Sequence, residues 1–201
     1  MRPRFQETDG FSLVELLVCV AISLIGYVLL FGGGSEQGQA RRKAACTANL
    51  EQMQIALSVY ATEHDGAYPV TPAATSSEAP LSELVPRYTS DTSIFVCPGT
   101  NAKALPGAQS FANRRISYAY YMGVKRNAGA DVPLISDAQV NTNSKRRGDP
   151  VFSSDGKGAG ANHRKFGGSI LFADGHVETW GASAARELPV PAGAVLLNPK
   201  P

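Results

Sequence analysis

The sequence predicts an α+β fold in which a long N-terminal α-helix, apolar in its first half and amphipathic in its second, packs on a small antiparallel β-sheet head. Three observations predict it. Residues 11–31, FSLVELLVCVAISLIGYVLLF, form an apolar run whose charged side chain is Glu15. Cys46, Leu50, Met53, Leu57 and Tyr60 or Ala61 recur at the i, i+4, i+7 spacing of one helix face. Ser169 to Trp180 alternates apolar and polar residues on either side of Asp174-Gly175, the pattern of a β-hairpin.

The apolar run comes first in the chain. About 20 apolar residues cross a bilayer core as a helix. A core helix of a soluble domain would carry a polar stripe, and this run has none. It therefore reads as a transmembrane segment over 11–34. Arg2 and Arg4 before it favour a cytoplasmic N-terminus, while Arg41, Arg42 and Lys43 beyond it oppose that orientation. A secretory signal peptide needs a small-residue cleavage site after its core, and Gly32-Gly33-Gly34 lacks that form. Each glycine weakens a helix by about 1 kcal/mol relative to alanine, so a bend is expected there.

Helical patterning resumes over 35–66 with the Cys46–Ala61 stripe and ends at Asp65-Gly66, before Pro69. Unbroken from Phe11 to His64, the rod would measure roughly 80 Å. The head follows over 67–182. Residues 69–80 are rich in Pro, Ala, Ser and Thr and read as a loop. A short helix is expected over 81–85, with Pro80 at its start. Strands are expected over 93–97, 116–122 and 132–136. Asp174-Gly175 suits a tight type I′ turn, in which both central residues take positive φ. Beyond it, 183–201 is an Ala- and Pro-rich tail expected to be loosely held.

Composition excludes more than it selects. The chain has 201 residues and a net charge of +2, too small to argue for nucleic acid. The basic runs Arg41–Lys43 and Lys145–Arg147 read as solvated surface or anchor. Of three cysteines, Cys19 lies in the apolar run, while Cys46 and Cys97 lie in the soluble region. If that region is exported they can form one disulfide, although the sequence does not show that they meet. No GxSxG, HExxH or phosphate-binding glycine loop is present, so an enzyme is not expected. His163, Asp174 and His176 have the right chemistry for zinc, but the turn already accounts for Asp174.

Asp9-Gly10 followed by Phe11-Ser12-Leu13-Val14-Glu15 resembles the leader of the type IV pilin and pseudopilin family. The resemblance implies cleavage after Gly10 by a prepilin peptidase and methylation of the new N-terminal Phe11. It also implies that Glu15 pairs with the Phe11 amine of a neighbouring subunit during assembly. A carboxylate in a membrane helix costs about 2.5–3.5 kcal/mol, which gives Glu15 a physical need for such a partner. A second resemblance joins His163, Gly167-Gly168 and Asp174-Gly175 to the H-x9-DG motif of prepilin-type proteins. Here ten residues, not nine, separate His163 from Asp174.

From the family follow a leader at 1–10, a pilin-like fold and a structural role in a type II secretion-like or type IV pilus-like filament. The expected partners are copies of itself or related pseudopilins, the prepilin peptidase, an inner-membrane assembly platform and membrane lipid. The expected location is a single pass of the inner membrane, with the head in the periplasm or outside the cell. Calcium is the cofactor that the family suggests, with Asp137, Asp155 and Asp174 as loop candidates, although no EF-hand spacing exists. The alternative reading is a minor pilin whose head binds DNA, a surface or an envelope polymer, with 145–147 as its only hint.

Overall fold

A computed structural model describes residues 12–31, 35–103, 105–107 and 109–201. The leader, Gly10, Phe11 and the glycines at 32–34 lie outside the described residues, and with them the expected cleavage point and bend. The chain divides into two units, one up to Gly38 and one from Gln39 onward.

The first unit contains α1 (Leu13–Phe31), and α2 (Ser35–Glu63) begins within it. This corrects two expectations. The long N-terminal helix is represented among the described residues by α1, of 19 residues, and α2, of 29 residues. Among the described residues, no helix is long and apolar enough to cross a membrane. The transmembrane assignment of 11–34, and the single-pass inner-membrane location drawn from it, are therefore not supported.

The second unit is α+β. Its sheet has five antiparallel strands: β1 (Tyr118–Met122), β2 (Pro133–Asp137), β3 (Gly168–Phe172), β4 (Val177–Trp180) and β5 (Val195–Leu197). Their spatial order is β4-β3-β2-β1-β5. The α2 stripe lies in the core: Cys46, Leu50, Met53 and Leu57 are fully buried, among Tyr68, Leu81, Phe95, Tyr120 and Leu134. Strand β3 faces two cores, as its period of two requires. Leu171 joins the α2 core, whereas Ile170 and Phe172 meet Phe152, Trp180 and Leu188 on the other side.

Three local expectations change. Residues 92–95 form a 3-10 turn rather than a strand, because Asp91 accepts hydrogen bonds from both Ser93 N and Ser93 Oγ and caps it. The β3–β4 hairpin is present, but its turn is not type I′. Gly175 N donates to Phe172 O, and Gly175 has φ +98° while Asp174 does not enter the left-handed region. The Asp174 carboxylate instead accepts from His176 N at 3.1 Å, fixing an Asx turn. The tail is tied down. β5 pairs with β1, Asn198 exchanges hydrogen bonds with Gln139 N and O, and Lys200 N donates to Glu78 Oε1. The expected helix near 81 starts earlier, as α3 (Glu78–Leu81), and continues as a 3-10 turn to Leu84.

Candidate functional site

Four chemically competent side chains converge at one point beneath α2. Cys46 comes from the buried stripe of α2, and Cys97 from the segment just after the 3-10 turn. Asp137 ends β2, and His163 comes from the loop before β3. All four are fully buried, and one ligand atom from each lies within 4.8 Å of the others. Cys46 and Cys97 are joined by a disulfide with Cα atoms 5.4 Å apart, inside the usual range.

The hydrogen bonds show how the chain holds this arrangement. Asp137 Oδ1 accepts from Asn162 Nδ2 at 2.7 Å, and Oδ2 accepts the backbone N–H of Ser169 at 2.8 Å. Asn162 Nδ2 also donates to Ser117 O, tying the loop to the start of β1. His163 Nε2 stands 3.4 Å from Cys97 Sγ and 3.4 Å from Asp137 Oδ2. Its Nδ1 is buried without a hydrogen-bond partner. The Gly99 N–H donates to Cys97 Sγ at 3.3 Å.

Two glycines make the approach possible. A Cβ on Gly99 would stand 2.3 Å from Asn162 O and 2.8 Å from His163 Nδ1. A Cβ on Gly168 would meet Phe152 at 2.7 Å and the Asp137 Cβ at 2.9 Å. Gly168 therefore serves close packing around Asp137, while Gly167 packs against the backbone of Trp180 and Gly181. Lys43, one helical turn before Cys46, donates to Phe166 O at 2.8 Å. Burial holds its ammonium below the ordinary lysine range, and the nearby Asp137 charge offsets part of that shift. Next to the cluster lies an open cleft of about 620 Å³ lined by Arg42, Arg115, Arg164 and Lys200, with Gly99 and Asn162 in its wall.

The other residues singled out from sequence lie apart from this cluster. Asp174 and His176 bond each other in the hairpin turn, where the His176 ring stacks on Phe172. Asp155 caps its own turn through Ser153 Oγ and Lys157 N, and these hydrogen bonds hold its carboxyl below the usual range. Among the described residues neither belongs to a group of three or more His, Cys, Asp or Glu side chains that could hold a metal ion. Lys145 is also not free: its Nζ is bonded to Asn141 O, Asn141 Oδ1 and Asn143 O. The one basic hint of a binding head is thus partly turned inward.

Sequence reasoning paired Cys46 with Cys97 as a possible disulfide and named His163 and Asp137 separately, but did not join the four. It missed Lys43 as the neighbouring cation. It also missed Glu78, a buried carboxylate that accepts from Ile116 N and Lys200 N. A charged residue closing an apolar strand, as Asp137 closes Leu134-Ile135-Ser136, was the available signal.

In the first unit, α1 presents the opposite kind of surface. Leu13 is 77% exposed and Tyr27 63%, and Val14, Leu17, Ile22 and Ile25 between them are also exposed. Glu15 is the acidic group in its first turn. No protein-family model, curated protein or solved structure matches the chain.

Proposed function

We propose that the chain is a structural subunit of the pseudopilin kind, which assembles with copies of itself or related subunits through α1. One observation carries this reading: the apolar side chains of α1 described between Leu13 and Tyr27 stand in the open. A contiguous apolar surface of this length is an interaction site, because leaving it in water costs about 25 cal/mol per Å². A second copy of the same helix offers a matching apolar surface.

Glu15 supplies the polarity of that packing. A carboxylate covered by apolar neighbours needs a cation or it loses stability. Cleavage after Gly10 would create such a cation, the ammonium of Phe11, on each subunit. Pairing of Glu15 on one subunit with Phe11 on the next would set a fixed stagger between them. In this reading the chain works as a scaffold and holds no catalytic residues.

Two measurements test the proposal. Mass spectrometry of protein from its native host should find a mature N-terminus at methylated Phe11, and an intact Met1 would count against it. Glu15→Ala should still be cleaved but fail to enter polymers seen by sedimentation and negative-stain microscopy. Normal polymer yield from that variant would overturn the assignment.

A further inference from the structure

We propose that Cys46, Cys97, Asp137 and His163 form a tetrahedral site for a zinc-class divalent ion when the Cys46–Cys97 disulfide is reduced. The pocket would then be closed either by a covalent bond or by a metal. This inference is independent of the assembly role of α1.

The donor set comes first. Two thiolates, one imidazole and one carboxylate are ligands that Zn²⁺ takes in four-coordinate sites. The four come from four separate segments, yet all are fully buried and mutually within 4.8 Å. Spacing comes second. Bonds of about 2.0–2.3 Å in a tetrahedron place neighbouring donors roughly 3.3–3.8 Å apart. The distances from His163 Nε2 to Cys97 Sγ and to Asp137 Oδ2, both 3.4 Å, already match two edges of that figure. The same 3.4 Å is long for a histidine–carboxylate hydrogen bond, which favours about 2.7–2.9 Å.

The surrounding groups fit a ligand shell. Asn162 Nδ2 and Ser169 N orient the Asp137 carboxylate, and Gly99 N–H points at Cys97 Sγ. Such outer hydrogen bonds fix the ligands of metal centres. Gly99 and Asn162 also wall the open cleft, so a small solute in it stands one residue from the cluster.

Charge balance makes the two states interchangeable. The disulfide is neutral, and so is Zn²⁺ with two thiolates. The Asp137 and Lys43 side chains are the same in both states, so the exchange adds no net charge to the buried pocket. The chemistry balances with a dithiol as reductant. The dithiol gives two electrons, its own sulfurs join, the Cys46–Cys97 bond breaks, and two thiols form. Metal binding then forms two metal–sulfur bonds and releases the two thiol protons. His163 binds as the neutral imidazole through Nε2, with its proton on Nδ1.

The test uses the full chain carrying Cys19→Ser, which removes the exposed free thiol. The protein is reduced with a dithiol in denaturant, freed of reductant and metal, and refolded anaerobically with Co²⁺ as the probe. The expected result is one Co²⁺ per chain with a thiolate-to-cobalt charge-transfer band and tetrahedral visible bands, both abolished by Zn²⁺. The oxidised protein should show neither band. Asp137→Ala and His163→Ala should each weaken binding at least tenfold, and Asp137→His should restore a four-ligand site with shifted visible bands. Circular dichroism identifies any variant that fails to fold, and the Asp137→His result decides in that case. A reduced chain that refolds only when metal is present also supports the site. Reduced protein without stoichiometric Co²⁺, or binding unchanged in both alanine variants, overturns it.

Discussion

Asp137 and Ser169 are joined by a carboxylate–amide hydrogen bond of 2.8 Å in which both residues are fully buried. The acceptor ends β2 and the donor lies in β3, so a side chain completes what strand pairing began. Removing the carboxylate would strand two donors, Ser169 N and Asn162 Nδ2. Each buried unsatisfied donor costs about 1–3 kcal/mol. Asp137→Ala should therefore lower stability by roughly 2–5 kcal/mol in urea denaturation. Asp155→Ala, at an exposed turn, should lose less than about 1 kcal/mol. Equal effects from the two would remove the special status of Asp137.

Close packing at Gly168 leads to a second expectation. Alanine there must displace the Phe152 ring or the Asp137 side chain, and overpacking of this kind costs about 1–3 kcal/mol. Gly129→Ala meets nothing within 4 Å and should be nearly silent. Thermal melting of the pair is sufficient to compare them.

The disulfide closes a loop with a sequence separation of 51 residues. A loop of this size contributes about 2–4 kcal/mol in the usual range. The double variant Cys46→Ser, Cys97→Ser should melt lower by roughly 2–4 °C for each kcal/mol lost. A melting temperature equal to that of the oxidised protein would show that the bond does not form in solution.

Alkaline pH should unfold the head. Burial pushes the phenols of Tyr118, Tyr120 and Tyr121 upward. A group whose folded value is raised contributes its full stability below its unfolded value, about 10 for tyrosine. That contribution is lost as pH rises from there toward the folded value. Tyrosinate absorbance should show exposed phenols titrating first, and these three only together with loss of the fold. Smooth titration of all tyrosines without unfolding would contradict their burial.

The C-terminal residues give the last prediction. Leu196 and Leu197 are 3% and 4% exposed, and burial of each contributes about 1.5–3 kcal/mol. Deleting 194–201 removes both, together with the Asn198–Gln139 and Lys200–Glu78 bonds. The truncated chain should lose its cooperative melting transition. Retention of that transition would mean that β5 adds little.

The sequence made some of this legible for definite reasons. Cys46, Leu50, Met53 and Leu57 announced a buried helix face because a helix repeats every few residues. Ser169 to Trp180 announced a hairpin because strands alternate. Residues 92–95 misled, since Ile94, Phe95 and Val96 favour strands while the decisive group is the Asp91 side chain outside the run. β5 was hidden because three residues among prolines and alanines carry too little pattern. The apolar run at 11–31 was read by hydropathy as a crossing, and among the described residues no helix supports that. Of the four-residue cluster only the Cys46–Cys97 pair was legible: the members are far apart in sequence, and only folding brings Asp137 and His163 to them.

The place of β5 in the sheet has a consequence for biogenesis. It lies beside β1, more than seventy positions earlier in the chain by the pairing of Tyr121 with Leu196. Until residues 195–198 leave the ribosome, β1 keeps one row of backbone groups without a strand to receive it. The head therefore finishes only after residues 195–198 have emerged, and a chain stalled or clipped before them would carry an open sheet edge prone to sticking to its neighbours.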